Sequence, residues 1–138
     1  MTTGALGQSL EMQGFAEAEV LSALSIHRES DLDFGLGLVG DPAKTVSPAE
    51  GARFEVRGEP EHTFEVLLPH RIALTRQGPG LGHKTLSVAR FTSWPAWTGQ
   101  LDKGGSRTLL VGAQRERIRP QQPAGDYLGS FTVTVAYP

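Results

Sequence analysis

Paired carboxylates are the first residues in this chain that could carry chemistry. Asp31 and Asp33 are two positions apart, so on a strand both side chains would point to one face. Such a pair could bind calcium or act in acid–base catalysis. Calcium takes roughly six to eight oxygen ligands, and Glu29 is the one further acidic residue close by in sequence. The sequence therefore favours a solvated strand face, with Asp31 or Ser30 serving a turn.

Histidines are the next candidates, at positions His27, His62, His70 and His83. No two have the i, i+4 spacing of a helical metal site or the His-x-His spacing of a strand site. Each adjoins charged or turn residues, which favours a surface position for all four. The chain has no cysteine, which excludes disulfides, thiolate nucleophiles and thiolate metal sites. We therefore expect no catalytic residues, no metal and no cofactor.

A glycine-rich segment, residues 78–84, superficially resembles a loop that binds phosphate. A P-loop needs Gly-Lys-Ser/Thr at the start of a helix, and a dinucleotide-binding fold needs a βαβ unit. Here a strand-like run, residues 85–89, follows instead. The segment therefore predicts a hairpin loop.

Arginines alternate at Arg115, Arg117 and Arg119, with Arg107 upstream, so three guanidinium groups could share one strand face. Such a patch could bind phosphate or an acidic glycan. The alternative is an edge strand that its charge keeps soluble, and a following Pro120 suits an edge. The sequence favours the edge strand.

Two tryptophans, Trp94 and Trp97, flank Pro95 and Ala96 in a predicted loop. Exposed indole rings on a β-sandwich can stack on the pyranose rings of a glycan. The rings can equally cover an open end of the core, and the sequence favours that second role. Trp94 and Trp97 are nevertheless the candidate ligand-binding residues.

Composition limits the class of protein. The chain has 138 residues and 14.8 kDa, which suits one domain. A net charge of −2 argues against a general nucleic-acid binder, and no apolar run approaches the roughly 20 residues of a membrane span. The N-terminus lacks the basic start and apolar block of a signal peptide. Either the protein is cytoplasmic, or it is an exported domain whose signal was removed.

Short runs with period-two alternation dominate the chain, and no run keeps a 3.6-residue period over helical length. The clearest alternation lies in 126–137, which predicts a half-buried antiparallel strand. The pattern over 16–26 favours a strand over a helix. Seven or eight strands separated by turn residues predict an immunoglobulin-like antiparallel β-sandwich. We assign it residues 15–138, after a flexible N-terminal arm, residues 1–14.

The apolar members of the alternating runs form the predicted core: Phe34, Phe54, Val56, Phe64, Val66, Leu68, Leu74, Leu86, Val88, Leu109, Val111, Phe131, Val133 and Val135. Gly125 lies in a turn before the last strand and is expected to have a positive φ. Gly129 lies inside that strand, on its apolar face, and predicts a bulge or space for a large neighbour.

Nine segments together carry a family resemblance, in this order: Leu24-Ser-Ile, Asp31-Leu-Asp-Phe-Gly, Thr45-Val-Ser-Pro, Phe54-Glu-Val-Arg-Gly-Glu-Pro, Phe64-Glu-Val-Leu-Leu-Pro, Ile72-Ala-Leu-Thr, Val88-Ala-Arg-Phe, Leu109-Leu-Val-Gly-Ala and the stretch from Gln122 to Tyr137. Over about residues 16–137 the chain resembles a bacterial family of exported domains known as DUF4402. The resemblance implies an immunoglobulin-type sandwich, similar to pilin-like and spore-coat-like domains at cell surfaces. It supplies no catalytic residues, and this chain departs from it in its many Arg and Glu residues.

Three functions compete. The resemblance implies an extracellular or cell-surface structural subunit, pilin-like or coat-like, whose partners are copies of itself or related subunits. The second function is an adhesin that binds glycans, and the third, an enzyme, is disfavoured. Pilin-like sandwiches associate when an extended segment of one subunit joins the sheet of the next. In the arm, Leu6, Leu10 and Met12 have the even spacing of one insertion face. Glycines weaken that strand and favour a disordered tail: Gly4, Gly7 and Gly14.

Overall fold

The structure, a computed structural model, describes residues 7–79 and 84–138 and is all-β. Within those residues there are ten strands: β1 (Ser25–Ser30), β2 (Lys44–Val46), β3 (Ala52–Arg57), β4 (Thr63–Leu67), β5 (Arg71–Arg76), β6 (Thr85–Trp94), β7 (Thr98–Gln100), β8 (Ser106–Arg115), β9 (Tyr127–Leu128) and β10 (Thr134–Ala136). A 3-10 turn, Pro48–Glu50, joins β2 to β3.

The strands form two antiparallel sheets. The larger sheet has the order β1-β3-β8-β6-β5-β9, and β2 pairs with the far end of β8. The smaller sheet has the order β10-β4-β7. This confirms the predicted antiparallel β-sandwich. The strand number exceeds the predicted seven or eight because β2 and β7, with three residues each, are too short to show a period, and because the C-terminal run forms two strands, β9 and β10.

The core lies between the two sheets, where the alternating strands bring their apolar faces together. From the larger sheet, Val56, Leu109 and Val111 are fully buried. From the smaller sheet, Phe64 and Val66 meet them. Burial of these side chains is the main favourable contribution to folding.

Half of the predicted core is fully enclosed: Val56, Phe64, Val66, Leu86, Val88, Leu109 and Val111. The other seven predicted core residues are half-buried: Phe34, Phe54, Leu68, Leu74, Phe131, Val133 and Val135. The sequence missed five buried residues outside the clear alternations: Val46, Ala52, Leu101, Ala113 and Ile118. The half-buried group includes every predicted core residue of the C-terminal segment.

The C-terminal segment is divided between the two sheets. β9 pairs with β5 in the larger sheet, and β10 pairs with β4 in the smaller one. Burial still alternates as predicted, but the single continuous strand over 126–137 is wrong. Gly129 follows β9, where an added Cβ would lie 2.6 Å from the Ala73 carbonyl oxygen. Of the two roles predicted for Gly129, the space for a neighbour is the one found, because Leu74 Cδ2 would lie 3.0 Å from such a Cβ, and the pairing of β5 with β9 shows no bulge. The positive φ predicted at Gly125 is confirmed, at +144°.

The prediction of a strand over 16–26 is wrong. Residues 15–24 have no strand pairing, and the first strand begins at Ser25. Residues 31–38 also lack strand structure, so the short strand expected around Asp31 and Asp33 is absent from this described segment.

The two phenylalanines of the smaller layer provide a test of the core. Phe64 is fully buried, so Phe64→Ala should lower the free energy of unfolding by about 3–5 kcal/mol. Phe131 is half-buried, so Phe131→Ala should cost less in the isolated chain, because part of the ring already contacts water. Urea unfolding at low protein concentration measures both losses. Equal losses would contradict the half-buried position of Phe131.

Candidate functional site

The most unusual surface of the molecule is the N-terminal segment 7–20. It runs past the predicted boundary at residue 14 and is called the arm below. From residue 7 to residue 20 every side chain is exposed, and the segment pairs with no strand within the described residues. Its large apolar side chains are almost fully in water: Leu10 is 87% exposed, Met12 94%, Phe15 91% and Val20 90%. Exposure of several apolar side chains within one short segment is unfavourable unless another surface covers them.

The arm has the pattern of a half-buried strand. From position 10 to position 20 all even-numbered residues are apolar or small: Leu10, Met12, Gly14, Ala16, Ala18 and Val20. The odd-numbered residues are polar, apart from Phe15. Because side chains alternate along a strand, this pattern places a continuous apolar face on one side. That face has no sheet to cover it within the described part of the chain.

Hydrogen bonds hold the root of the arm at Ser22. The Ser22 N–H donates to Glu59 Oε2 at 2.8 Å, and the Tyr137 hydroxyl donates to the Ser22 carbonyl oxygen at 2.5 Å. The same hydroxyl accepts the Glu59 N–H at 2.8 Å. Donation from Ser22 lowers the pKa of the Glu59 carboxyl below its ordinary value. The hydrogen bonds at Ser22, just after the arm, therefore connect the base of the arm to Tyr137, the residue that follows β10.

A second contact holds the arm at Glu19, whose Oε1 lies 3.3 Å from His62 Nε2. His62 Nδ1 lies 3.3 Å from the Pro60 carbonyl oxygen, and the ring packs edge-on against Tyr137. The Pro60 carbonyl, and then Glu19, raise the pKa of His62 above its ordinary value. The arm is thus anchored at 19–22 and projects from there.

β10 is the edge of the smaller sheet nearest to the arm root. β4 pairs with one side of β10, and no strand within residues 7–79 and 84–138 pairs with the other. Three half-buried apolar side chains that pack against the core lie within β10 or shortly before it: Phe131, Val133 and Val135. This surface is called the open edge below. It combines unpaired main-chain groups with incompletely covered apolar residues.

The structure places the two tryptophans apart. Trp97 lies over a cavity between β4 and β6, whereas Trp94 lines a different depression together with Asp102 and Arg107. Trp94 is 63% exposed and Trp97 83%. The prediction that these rings cover the core is therefore wrong, and both are free to meet a ligand.

The carboxylates and histidines mostly have local partners. Asp31 Oδ1 lies 3.4 Å from Arg28, and Asp33 accepts the Gly35 N–H at 2.7 Å. His27 and His70 are exposed, as predicted, but the half-buried His62 is not a simple surface residue. His83 lies outside the described residues. Within those residues no group of three or more acidic or histidine side chains is placed to hold a metal ion.

The alternating arginines do not share one face. Arg115 is 5% exposed and ends β8, a central strand between β3 and β6. Arg117 and Arg119 follow it outside the strand and are exposed. The predicted edge strand is therefore wrong. The segment 77–84 joins antiparallel β5 to β6, as a hairpin loop should, although residues 80–83 lie outside the described residues.

Sequence reasoning missed the arm root. Ser22, Glu59 and Tyr137 lie far apart in sequence and match no motif, so only the fold brings them together. The alternation in the arm was available as a signal, since Ala16, Ala18 and Val20 continue the spacing of Leu10 and Met12.

Comparison with known proteins finds one family. The model of the domain of unknown function DUF4402 matches residues 36–137. No curated protein and no solved structure matches the chain. In the part of the chain that the structure describes, none of the helices has the length and apolar character to span a bilayer.

The arm root should respond to pH. The raised pKa of His62 means that its ion pair with Glu19 contributes fully below pH 6.5 and is lost as pH rises through the higher folded value. The lowered pKa of Glu59 means that its contribution is present above pH 4.5 and is lost as pH falls through the folded value. Backbone ¹⁵N relaxation should show residues 19–22 most rigid between these limits. His62→Asn should abolish the upper transition, and an unchanged profile in that variant would contradict the assignment.

Proposed function

Because the chain belongs to the DUF4402 family of domains of unknown function, whose activity is not defined, we propose its function from its geometry. The protein is a non-catalytic structural subunit of a bacterial cell-surface assembly, pilin-like or coat-like. Its partners are copies of itself or related subunits, and strand addition joins them. An exported location, at the cell surface or outside the cell, is part of the same proposal.

One observation carries this proposal: the arm has the alternation of a strand, yet it stands in water. A segment whose apolar face is continuous from Leu10 to Val20 gains by entering a sheet, because each fully buried Leu or Met side chain contributes about 1.5–3 kcal/mol. Leu10 and Met12 alone are 87% and 94% exposed. The sheet that this face requires belongs to another molecule.

The open edge is the surface that we assign as acceptor. Its main-chain groups can pair with an added strand, and its half-buried side chains can pack against alternate residues of that strand. At the usual rise of a strand, the three residues of β10 extend over about 10 Å, and residues 10–20 would extend over about 36 Å. The arm is therefore long enough to cover the whole edge. An added strand would also complete the burial of Phe131, Val133 and Val135.

The anchored root supports exchange between molecules. Contacts at Glu19 and Ser22 hold the base of the arm beside Tyr137, and residues 7–18 extend beyond them in water. The arm is presented to a neighbour rather than packed on its own domain.

Glycan binding is the second candidate function. It is favoured by the exposure of both indole rings, since a pyranose ring can stack on a free indole face. Their separation into two depressions gives a glycan two independent stacking sites rather than one platform.

Assembly should depend on the apolar face of the arm. We expect the full-length chain to form multimers at high concentration in sedimentation velocity, and a chain lacking residues 1–18 to remain monomeric. This deletion keeps the contacts of Glu19 and Ser22. Leu10→Ser with Met12→Ser should also abolish multimers, whereas the matched control on the other face, Ser9→Ala with Gln13→Ala, should not. Monomers for all four proteins would contradict strand addition.

The arm should also act in trans. A peptide of residues 7–20 added to the chain lacking 1–18 should raise the thermal unfolding temperature, because a ligand at 100 times its Kd stabilises the folded state by about 2.7 kcal/mol. The same peptide with Leu10 and Met12 replaced by Ser is the control. Equal shifts with both peptides would show that the apolar face is not what binds.

For the second candidate, a glycan array should report binding that Trp94→Ala or Trp97→Ala weakens. Loss of one stacked ring is expected to reduce affinity by about tenfold, on the order of 1.4 kcal/mol. Binding that survives both substitutions would remove these residues from the site.

A further inference from the structure

A cavity of about 510 Å³ opens between β4 and β6. Its walls come mainly from apolar residues of β4, β6 and the two adjoining loops: Val66, Leu68, Pro69, Phe91, Ala96 and Trp97. It forms because β5 pairs with β6 only as far as Ala89, which leaves the second half of β6 without that neighbour. The volume lies within the range of small-molecule sites, about 300–1,000 Å³.

Two cationic residues line a depression next to this cavity. This depression shares Pro69, His70 and Phe91 with the cavity and adds Arg71 and Arg90. Both arginines are exposed. Neither makes an ion pair with a carboxylate in the described residues. An apolar cavity therefore adjoins two guanidinium groups that have no anionic partner there.

Backbone strain is concentrated at the same place. Three non-glycine residues in the described chain have positive φ, and two of them, Arg90 at 55° and Trp97 at 64°, line this cavity or the adjoining depression. Arg90 lies in the register shift of β6 between Ala89 and Thr92. Bulges redirect side chains, and strained residues persist where their orientation is used. Arg90 and Trp97 are therefore both held in backbone conformations that are unfavourable for residues other than glycine.

We propose that this cavity binds a free long-chain carboxylate. The alkyl chain occupies the apolar cavity under Trp97, and the carboxylate lies in the adjoining depression, where Arg71 and Arg90 can donate charge-assisted hydrogen bonds. The complementarity of charge and polarity selects an amphipathic anion, and none of the residues that line the cavity belongs to the arm.

The lining argues against a sugar as occupant. A glycan needs several hydrogen-bonding side chains, but few polar groups face the cavity: His70, Thr92 and Ser93. The Ser93 hydroxyl already donates to the Pro95 carbonyl oxygen at 2.8 Å. Apolar walls with charge confined to the adjoining depression suit a ligand that is apolar along its length and charged at one end.

The test uses Trp97 as the reporter. In a Trp94→Phe variant, Trp97 is the single remaining tryptophan, and dodecanoate is titrated below its micelle concentration. We expect a saturable change in Trp97 emission. Dodecyltrimethylammonium, which has the same tail and the opposite charge, should bind at least about tenfold more weakly if the charged depression contributes one charge-assisted contact.

Substitutions locate the head group. In the same background, Arg71→Gln with Arg90→Gln should weaken dodecanoate binding by about tenfold or more and leave binding of the cationic amphiphile unchanged. Arg107→Gln, beside the other tryptophan, should have no effect. If the double variant does not fold, the proposal is still decided by comparing the two amphiphiles in the Trp94→Phe variant, which keeps both arginines. Absence of saturable dodecanoate binding, or equal affinity for both amphiphiles, would overturn it.

Discussion

A strand at the edge of a sheet leaves a row of main-chain N–H and C=O groups without partners, and this constraint dominates the present structure. In the smaller sheet the two outer strands, β10 and β7, each pair with β4 alone among the described strands, and β10 is the one that Tyr137 follows and whose end contacts the base of the arm. Edge strands are ordinarily short, charged or covered, because an open edge recruits other chains. β10 has the short length, but Phe131 and Val133 just before it and Val135 within it lie half-buried below the edge. The sandwich is closed in its centre and incomplete along this side.

The arm lacks the neighbouring strand that its alternating sequence pattern requires. Its residues alternate as a strand requires, but a strand gains stability only from neighbours that pair with its backbone and cover one face. Local pattern and tertiary environment normally agree in a folded protein. Here they disagree over one segment, from Leu10 to Val20, and the disagreement disappears when that segment enters a sheet. The two deficiencies, an unpaired edge and an unpartnered strand, thus have one physical solution.

The sequence predicted the fold class because the long strands carry their own signal. Phe64 and Val66 in β4, or Leu109 and Val111 in β8, alternate clearly and are buried. The prediction failed where period alone cannot decide. Residues 16–24 alternate as a strand but pair with no strand among the described residues, whereas Ser25 and Ile26 belong to β1. The C-terminal run passes from one sheet to the other at Gly129. The candidate site depended still more on tertiary structure, since Ser22 and Tyr137 meet across 115 positions. The cavity at Trp97 depends on the point at which β5 stops pairing with β6, and no residue type in the sequence predicts that point.

The anchored root has a further consequence for assembly. Tyr137, at the end of β10, bonds to Ser22 at the base of the arm, so the strand at the open edge also holds the chain's own arm. In the proposed strand addition, donor and acceptor would be different surfaces of one molecule, so one-way addition would be a heterologous contact, whereas reciprocal exchange of arms between two copies would close a two-fold dimer. Heterologous contacts generate rings when the rotation between copies closes, and open filaments when it does not. Because each added copy brings one arm and one open edge, growth by this contact regenerates the surface it consumes. One-way strand addition would therefore produce a ring or an extended polymer, and reciprocal exchange of arms a closed dimer.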